Sequence, residues 1–251
     1  IDALLLFIDT SIYPSILMLK NLFIFFLITN SISVYSQDLN YIFKSGENGY
    51  NTFRIPSIVI TNKGTTLAFA EGRKNSSSDS GDIDIVLKRS NDNGKTWGEI
   101  IIVRDDGINV CGNPSPVVDR KSGSIHLLST WNLGKDTESE IINEISEDTR
   151  RVFVLKSTDD GLSWSKPKEI TSSVKKDNWT WYATGPVHGI QISRGNYKDR
   201  LIIPCDHIES QTKKYFSHII YSDDYGDTWE IGGSTPQDYV NESTVAEIED
   251  G

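Results

Sequence analysis

From Arg54 onward the chain alternates short apolar runs with Gly, Asn, Asp and Ser, the pattern of half-buried strands joined by tight connections. The first round predicts strands over Pro56–Thr61, Thr65–Glu71, Ile83–Ser90 and Gly98–Val103, with Asn62-Lys63-Gly64 as its first turn. A second round predicts Ser115–Asp119, Ser124–Trp131, Arg151–Ser157 and Ser165–Ile170. A third predicts Gly189–Ser193, Arg200–Asp206, Phe216–Ser222 and Glu230–Gly232. Ser243–Glu249 then opens a fourth. Four antiparallel strands per round is an up-and-down meander, so the class is all-β.

One turn recurs at the same place in each round. Ser90–Trp97 reads SNDNGKTW, Ser157–Trp164 STDDGLSW and Ser222–Trp229 SDDYGDTW, with Asp92, Asp159 and Asp224 spaced by 67 and 65 residues. Each aspartate can accept hydrogen bonds from the N–H groups of its own turn. Gly94, Gly161 and Gly226 permit a left-handed backbone, and the tryptophan covers the hairpin. Three equivalent carboxylates are not needed for one active site, so the boxes read as scaffold.

All three boxes join a third strand to a fourth. In a meander, the connection entering strand one and the connection between strands two and three lie at the opposite end. Arg54 precedes a first strand, and Arg73 and Asp79 fall between a second and a third. Asn113 and Tyr182 precede first strands, as Glu242 precedes the fourth round. The candidate chemistry therefore collects on one face. The acidic stretch from Leu133 to Arg150 interrupts the second round on that face and reads as a solvated insert rather than a lid.

Composition narrows the partners. A net charge of −10 repels phosphates, which argues against nucleic acid and anionic membrane surfaces and requires locally concentrated arginines for any anionic ligand. Cys111 and Cys205 have no metal spacing, and His126, His188, His207 and His218 are scattered, so the sequence predicts neither a metal site nor a cofactor. Met18 to Ser36, with an apolar run from Leu22 to Ile28, reads as a signal peptide too short in its core to span a bilayer. Residues 1 to 17 then read as upstream translation, residues 37 to 251 as the mature domain, and the destination as secreted, periplasmic or cell-surface.

FRIP at Phe53–Pro56, the Arg73 to Asp79 loop, CGNPSPVVD, the boxes and NESTVAEIEDG together resemble the sialidase (neuraminidase) family of glycoside hydrolases, over about residues 40 to 251. The resemblance implies a six-bladed β-propeller, of which this chain would supply roughly the first three blades and the start of a fourth. It implies an exo-α-sialidase acting on terminal sialic acid of sialylated glycans; a trans-sialidase and a non-catalytic glycan- or protein-binding propeller are the alternatives.

By the same resemblance, Arg54 matches the first of three arginines that grip the sialic acid carboxylate, and Arg73 the arginine beside the C4 substituent. Asp79 falls at the general acid/base, with Asp82 and Asp84 as rivals, and Glu242 matches the glutamate that polarises a tyrosine nucleophile. The other two arginines and that tyrosine are expected after Gly251. Asn113 and Tyr182 read either as pocket lining or as turn and core residues, and Trp131 as core or rim. Val187 departs from the glycine expected in Gly185–Gly189.

Overall fold

The computed structural model describes residues 40–248. The proposed signal segment, its cleavage near Gln37 and the final Asp250-Gly251 lie outside those residues.

The first meander comprises β1 (Thr52–Ile60), β2 (Thr66–Arg73), β3 (Ile83–Ser90) and β4 (Ile101–Arg104). The second comprises β5 (Val110–Val118), β6 (Ile125–Asn132), β7 (Arg151–Ser157) and the short β8 (Lys168–Glu169). All neighbours within each meander pair antiparallel, and a single parallel bridge, Ile83 to Val110, joins the two into one eight-stranded sheet. The third is a separate sheet of β9 (Trp179–Thr184), β10 (Ile190–Gln191), β11 (Leu201–Glu209), β12 (Tyr215–Ser222) and β13 (Glu230–Ser234). β9 and β10 are two pieces of one inner strand, since both pair with β11.

The first strand of the third round is therefore longer and earlier than Gly189–Ser193. Trp179–Thr184, rich in aromatic and β-branched residues, carries most of its pairing with β11. The predicted strand Ser243–Glu249 is not formed over its described residues. Ser243 makes one isolated parallel bridge to Pro186, and the segment instead docks through Glu247, whose carboxylate accepts from Ser193 N at 3.0 Å and Ser193 Oγ at 2.7 Å.

Alternation along the strands builds two main cores, each between consecutive meanders. Val59, Leu67, Phe69, Ile85 and Leu87 of the first pack against Ile125, Leu127 and Leu155 of the second. Leu128, Val152 and Val154 of the second pack with Tyr182, Leu201, Ile203, Ile220 and Trp229 of the third. Each such aliphatic side chain, fully buried, contributes about 1.5–3 kcal/mol.

The boxes sit at the β3–β4, β7–β8 and β12–β13 turns. Asp92 Oδ1 accepts from Thr96 N at 2.9 Å, Asp159 Oδ1 from Ser163 N at 2.9 Å and Asp224 Oδ1 from Thr228 N at 2.9 Å. The box serine has its own part: Ser90, Ser157 and Ser222 Oγ accept from the glycine N–H at 2.8, 2.9 and 2.8 Å. The serine and threonine hydrogen bonds hold Asp92 and Asp159 down to about 2.

The opposite ends of the inner strands share another device. Ile55, Asn113 and Gly185 have φ of 52°, 53° and 84°, and each immediately precedes a proline. The β1–β2 register shifts between Arg54 and Ser57, and the β5–β6 register between Gly112 and Ser115. A β-branched residue in the left-handed region is strained, and a bulge re-aims the side chains beside it. FRIP, GNPSP and TGPVHG thus place a kink on one face in three successive meanders.

Candidate active site

The first two of those kinks, at Ile55 and Asn113, border a cavity of about 140 Å³ lined by, among others, Arg54, Arg73, Asp79 and Glu242. No box residue lines it, so the face opposite the boxes carries the candidate chemistry.

Arg73, at the end of β2, is 2% exposed and fully engaged. Its Nε donates to Glu71 Oε2 at 3.0 Å, and Nη1 donates to Ser77 O at 2.6 Å and Ser78 O at 2.9 Å. Glu71 lies two residues earlier on the same face of the strand, and its Oε1 accepts from Asn113 N at 2.8 Å. A Cβ on Gly112 would stand 2.7 Å from that same oxygen, so the Cys111-Gly112-Asn113 sequence is what lets the second meander approach the first.

Arg54 is half-exposed. Its Nη1 donates to Asp79 Oδ1 at 3.0 Å, while Arg73 Nη2 reaches the same oxygen at 2.7 Å. The loop bearing Asp79 is fixed at its base, where Gly81 N donates to Gly134 O at 2.8 Å. The rivals lie elsewhere: Asp82 pairs with Lys74 at 3.0 Å, and the buried Asp84 accepts from Tyr50 Oη at 2.7 Å and pairs with Lys74 at 3.1 Å. Neither lines the cavity.

Tyr182 is not in the pocket. It is fully buried in the core, 3.2 Å from His218 Nε2, while its neighbours Trp181 and Ala183 line the cavity. Side chains alternate along a strand, so a residue chosen one position off faces the wrong side. Asn113 does line the cavity, but its side chain is committed to the frame. Its Oδ1 accepts from Thr130 Oγ1 at 2.9 Å and from Arg150 Nη2. Trp131 belongs to a separate surface cavity, where its Nε1 donates to Asp106 Oδ2 at 2.6 Å.

The acidic insert is more than a solvated loop. It contains a helix, Glu138–Ile142, with a capping box between Thr137 and Glu140. Glu138 of that helix lines the cavity, and Arg150 at the insert's end is buried in its wall. Arg150 Nε donates to Tyr182 O at 3.0 Å and Nη1 to Asn132 Oδ1 at 2.6 Å, and the guanidinium lies 4.0 Å from the centre of the Trp181 ring. Burial lowers Arg150 to about 10, opposed chiefly by Glu71 and Glu138. Asp206, on β11, completes the wall; burial pushes its carboxyl up to about 7, against the pull of Arg150 and with Glu242 and Glu138 adding to the rise.

Glu71, Arg150, Trp181 and Asp206 were not singled out by sequence motifs. Glu71 alone had a usable signal, its two-residue spacing from Arg73. Cys111 and Cys205 are both free, buried thiols. Among the described residues, no group of His, Cys, Asp and Glu is arranged to hold a metal ion, and no helix is long and apolar enough to cross a membrane.

The fold and site define a β-meander protein with box turns at one end and an arginine- and carboxylate-lined pocket at the other. Residues 64–250 match the model of the BNR repeat-like domain, and the chain belongs to that family as a member of the sialidases. It is 38% identical over 174 residues to an exo-alpha-sialidase of Aspergillus fumigatus, covering 62% of this chain and 42% of that protein. It is 34% identical over 220 residues to a sialidase of Bacteroides fragilis, covering 82% of this chain and 39% of that protein. The chain thus spans well under two thirds of the relatives it matches. Among solved structures, a Hadza microbial sialidase superposes with a TM-score of 0.73 at 32% identity, over 82% of this chain and 42% of that one. A leech intramolecular trans-sialidase shares the fold with a TM-score of 0.65 at 19% identity, over 76% and 45%. With these neighbours, the stacked meanders are the blades of a propeller-type fold.

Proposed function

We propose that the protein carrying this chain is an exo-α-sialidase, a glycoside hydrolase that releases terminal sialic acid from sialylated glycans. The observation that carries the reading is the convergence of Arg54, Arg73, Asp79 and Glu242 on one cavity. The propeller would have six blades, and the protein would work outside the cytoplasm.

Arg54 binds the sugar's carboxylate, because a guanidinium matches a carboxylate in charge and in planar geometry. A substrate carboxylate on Arg54 competes with Asp79 for the same donor. Asp79 is then released to protonate the leaving oxygen and later to activate water. The anomeric carbon of a sialoside carries a carboxylate, so an anionic nucleophile meets like charge there, whereas a phenol polarised by a glutamate approaches with less repulsion. Glu242 is that glutamate. Among the described residues no tyrosine lines the cavity, and we assign the nucleophile to sequence after Gly251. Sialidases with a tyrosine nucleophile depart from the two-carboxylate scheme but keep the covalent intermediate.

Proton NMR of an aryl α-sialoside during hydrolysis by the full-length protein tests this. Two displacements release the α-anomer first, before mutarotation. The β-anomer as first product would rule out the covalent route.

A further inference from the structure

The loop that carries Asp79 is anchored on both sides of it. Before Asp79, Ser77 O and Ser78 O accept from Arg73 Nη1 at 2.6 and 2.9 Å. After it, Gly81 N donates to Gly134 O at 2.8 Å, and Gly134 belongs to the acidic insert of the second meander. The Asp79 side chain itself is exposed. Once a substrate carboxylate takes Arg54 from it, these backbone anchors set how far Asp79 reaches toward the leaving oxygen.

Gly134 is buried, and its surroundings admit no side chain. A Cβ there would stand 1.8 Å from Ile108 O and 2.9 Å from Gly81 O. Both are backbone atoms, so no rotamer change relieves the overlap. Its N–H donates to Asn109 Oδ1 at 3.1 Å, which fixes it against the connection between β4 and β5. Behind this point the insert closes on itself: Asn132 Nδ2 donates to Leu133 O at 2.9 Å and Asp136 O at 3.2 Å, and the buried Asp136 carboxylate accepts from Asp148 N at 3.1 Å. Farther along, Glu144 Oε2 accepts from Ser210 Oγ at 3.0 Å and Ile142 O from Lys213 Nζ at 2.7 Å, both in the turn between β11 and β12. The insert is thus a strut from the third meander to the Asp79 loop of the first, and every contact in it joins two described residues.

We propose that Gly134 is a positioning residue for Asp79. By letting the insert backbone meet Gly81, it holds the loop at the reach from which Asp79 protonates the leaving oxygen. Gly134 does not line the cavity and acts only through Asp79. The inference rests on the sialidase reading, which supplies the proton transfer that Asp79 performs. A displacement of about 1 Å at an acting group costs on the order of 10²-fold.

The test compares alkyl and aryl α-sialosides with the full-length protein, Gly134→Ala, Asp79→Asn and the double variant. Gly134→Ala should lose about 10- to 100-fold in kcat/KM on the alkyl substrate, which needs the acid, and less than about threefold on the aryl one. In the Asp79→Asn background the same change should cost the alkyl substrate less than about threefold, because two residues that act as a unit are not additive. If Gly134→Ala does not fold, Asn109→Ala takes its place: it removes the acceptor of Gly134 N without adding an atom, and should give a smaller loss with the same bias toward the alkyl substrate. Equal losses on both substrates, or losses that add to those of Asp79→Asn, make Gly134 a packing residue and overturn the inference while leaving the sialidase reading intact. If the wild type hydrolyses neither substrate, that reading falls and this one falls with it.

Discussion

Asp79 and Arg54 meet at 3.0 Å, joining the loop after β2 to the FRIP kink of β1. Because Arg73 reaches the same carboxylate oxygen, one acidic side chain sits across two arginines, of which the proposed reaction assigns Arg54 to the substrate carboxylate. Asp79→Asn weakens that competition and removes the general acid. It should leave substrate affinity unchanged or tighter while cutting turnover of alkyl sialosides by about 10²–10⁴-fold, and aryl sialosides far less, since a good leaving group hardly needs the proton. Separate kcat and KM values on the two substrate classes check this. Equal losses on both would exclude Asp79 as the acid.

Glu242→Gln should slow alkyl and aryl sialosides alike, because activating the nucleophile matters whatever the leaving group. Parallel kinetics on the two classes provide the readout, and a loss confined to alkyl substrates would give Glu242 the acid's role instead.

Glu71 is 3% exposed and neutralises Arg73, which is 2% exposed. Glu71→Gln leaves a buried guanidinium with the exposed Asp79 as its one charged partner beside the Ser77 and Ser78 carbonyls and should cost on the order of 3 kcal/mol, read by urea unfolding. An unchanged midpoint would show that Asp79 and the loop carbonyls suffice.

The boxes predict the reverse profile. Asp159→Ala strands turn N–H groups and should cost about 1–3 kcal/mol, while the folded protein keeps its kcat. A fall in turnover at unchanged stability would contradict the scaffold role.

Stability should also fall on mild acidification. Burial lowers His126 and His207 to about 4 and His218 to about 2, below the ordinary 6.5, so the native state keeps them neutral while the unfolded chain protonates them. Their contribution is intact above about pH 6.5 and is lost as pH falls from there toward 4, at about 1.4 kcal/mol per pH unit for each proton. Asp206, raised to about 7, works in the opposite direction over the same window but takes up one proton against three. Unfolding midpoints between pH 7 and pH 4 should therefore decline, and more steeply in Asp206→Asn. A flat profile would place charged histidines in the native core.

What the sequence reveals of this site is what lies close together along the chain. Arg54, Arg73, Asp79 and the boxes sit in short motifs whose turn chemistry is local, and Ile83–Ser90 and Arg151–Ser157 begin and end where their periodicity predicts. Arg150 and Asp206 belong to the pocket through strand register, which brings residues distant in sequence together and leaves no motif behind. Tyr182 shows how narrow the margin is, since one step of alternation separates it from Trp181. The Ser243–Glu249 pattern is strand-like, yet a strand needs a partner, and its described residues find only a bridge at Pro186.

The most direct test is sialic acid release from an aryl α-sialoside by the full-length protein and by Arg54→Gln, with an aryl β-galactoside as the neutral control. The account predicts hydrolysis of the sialoside alone and, for Arg54→Gln, a loss of at least about 10²-fold in kcat/KM, as removal of a charged hydrogen-bonding partner requires. Hydrolysis of the neutral glycoside, or an Arg54→Gln variant as active as the wild type, would contradict it.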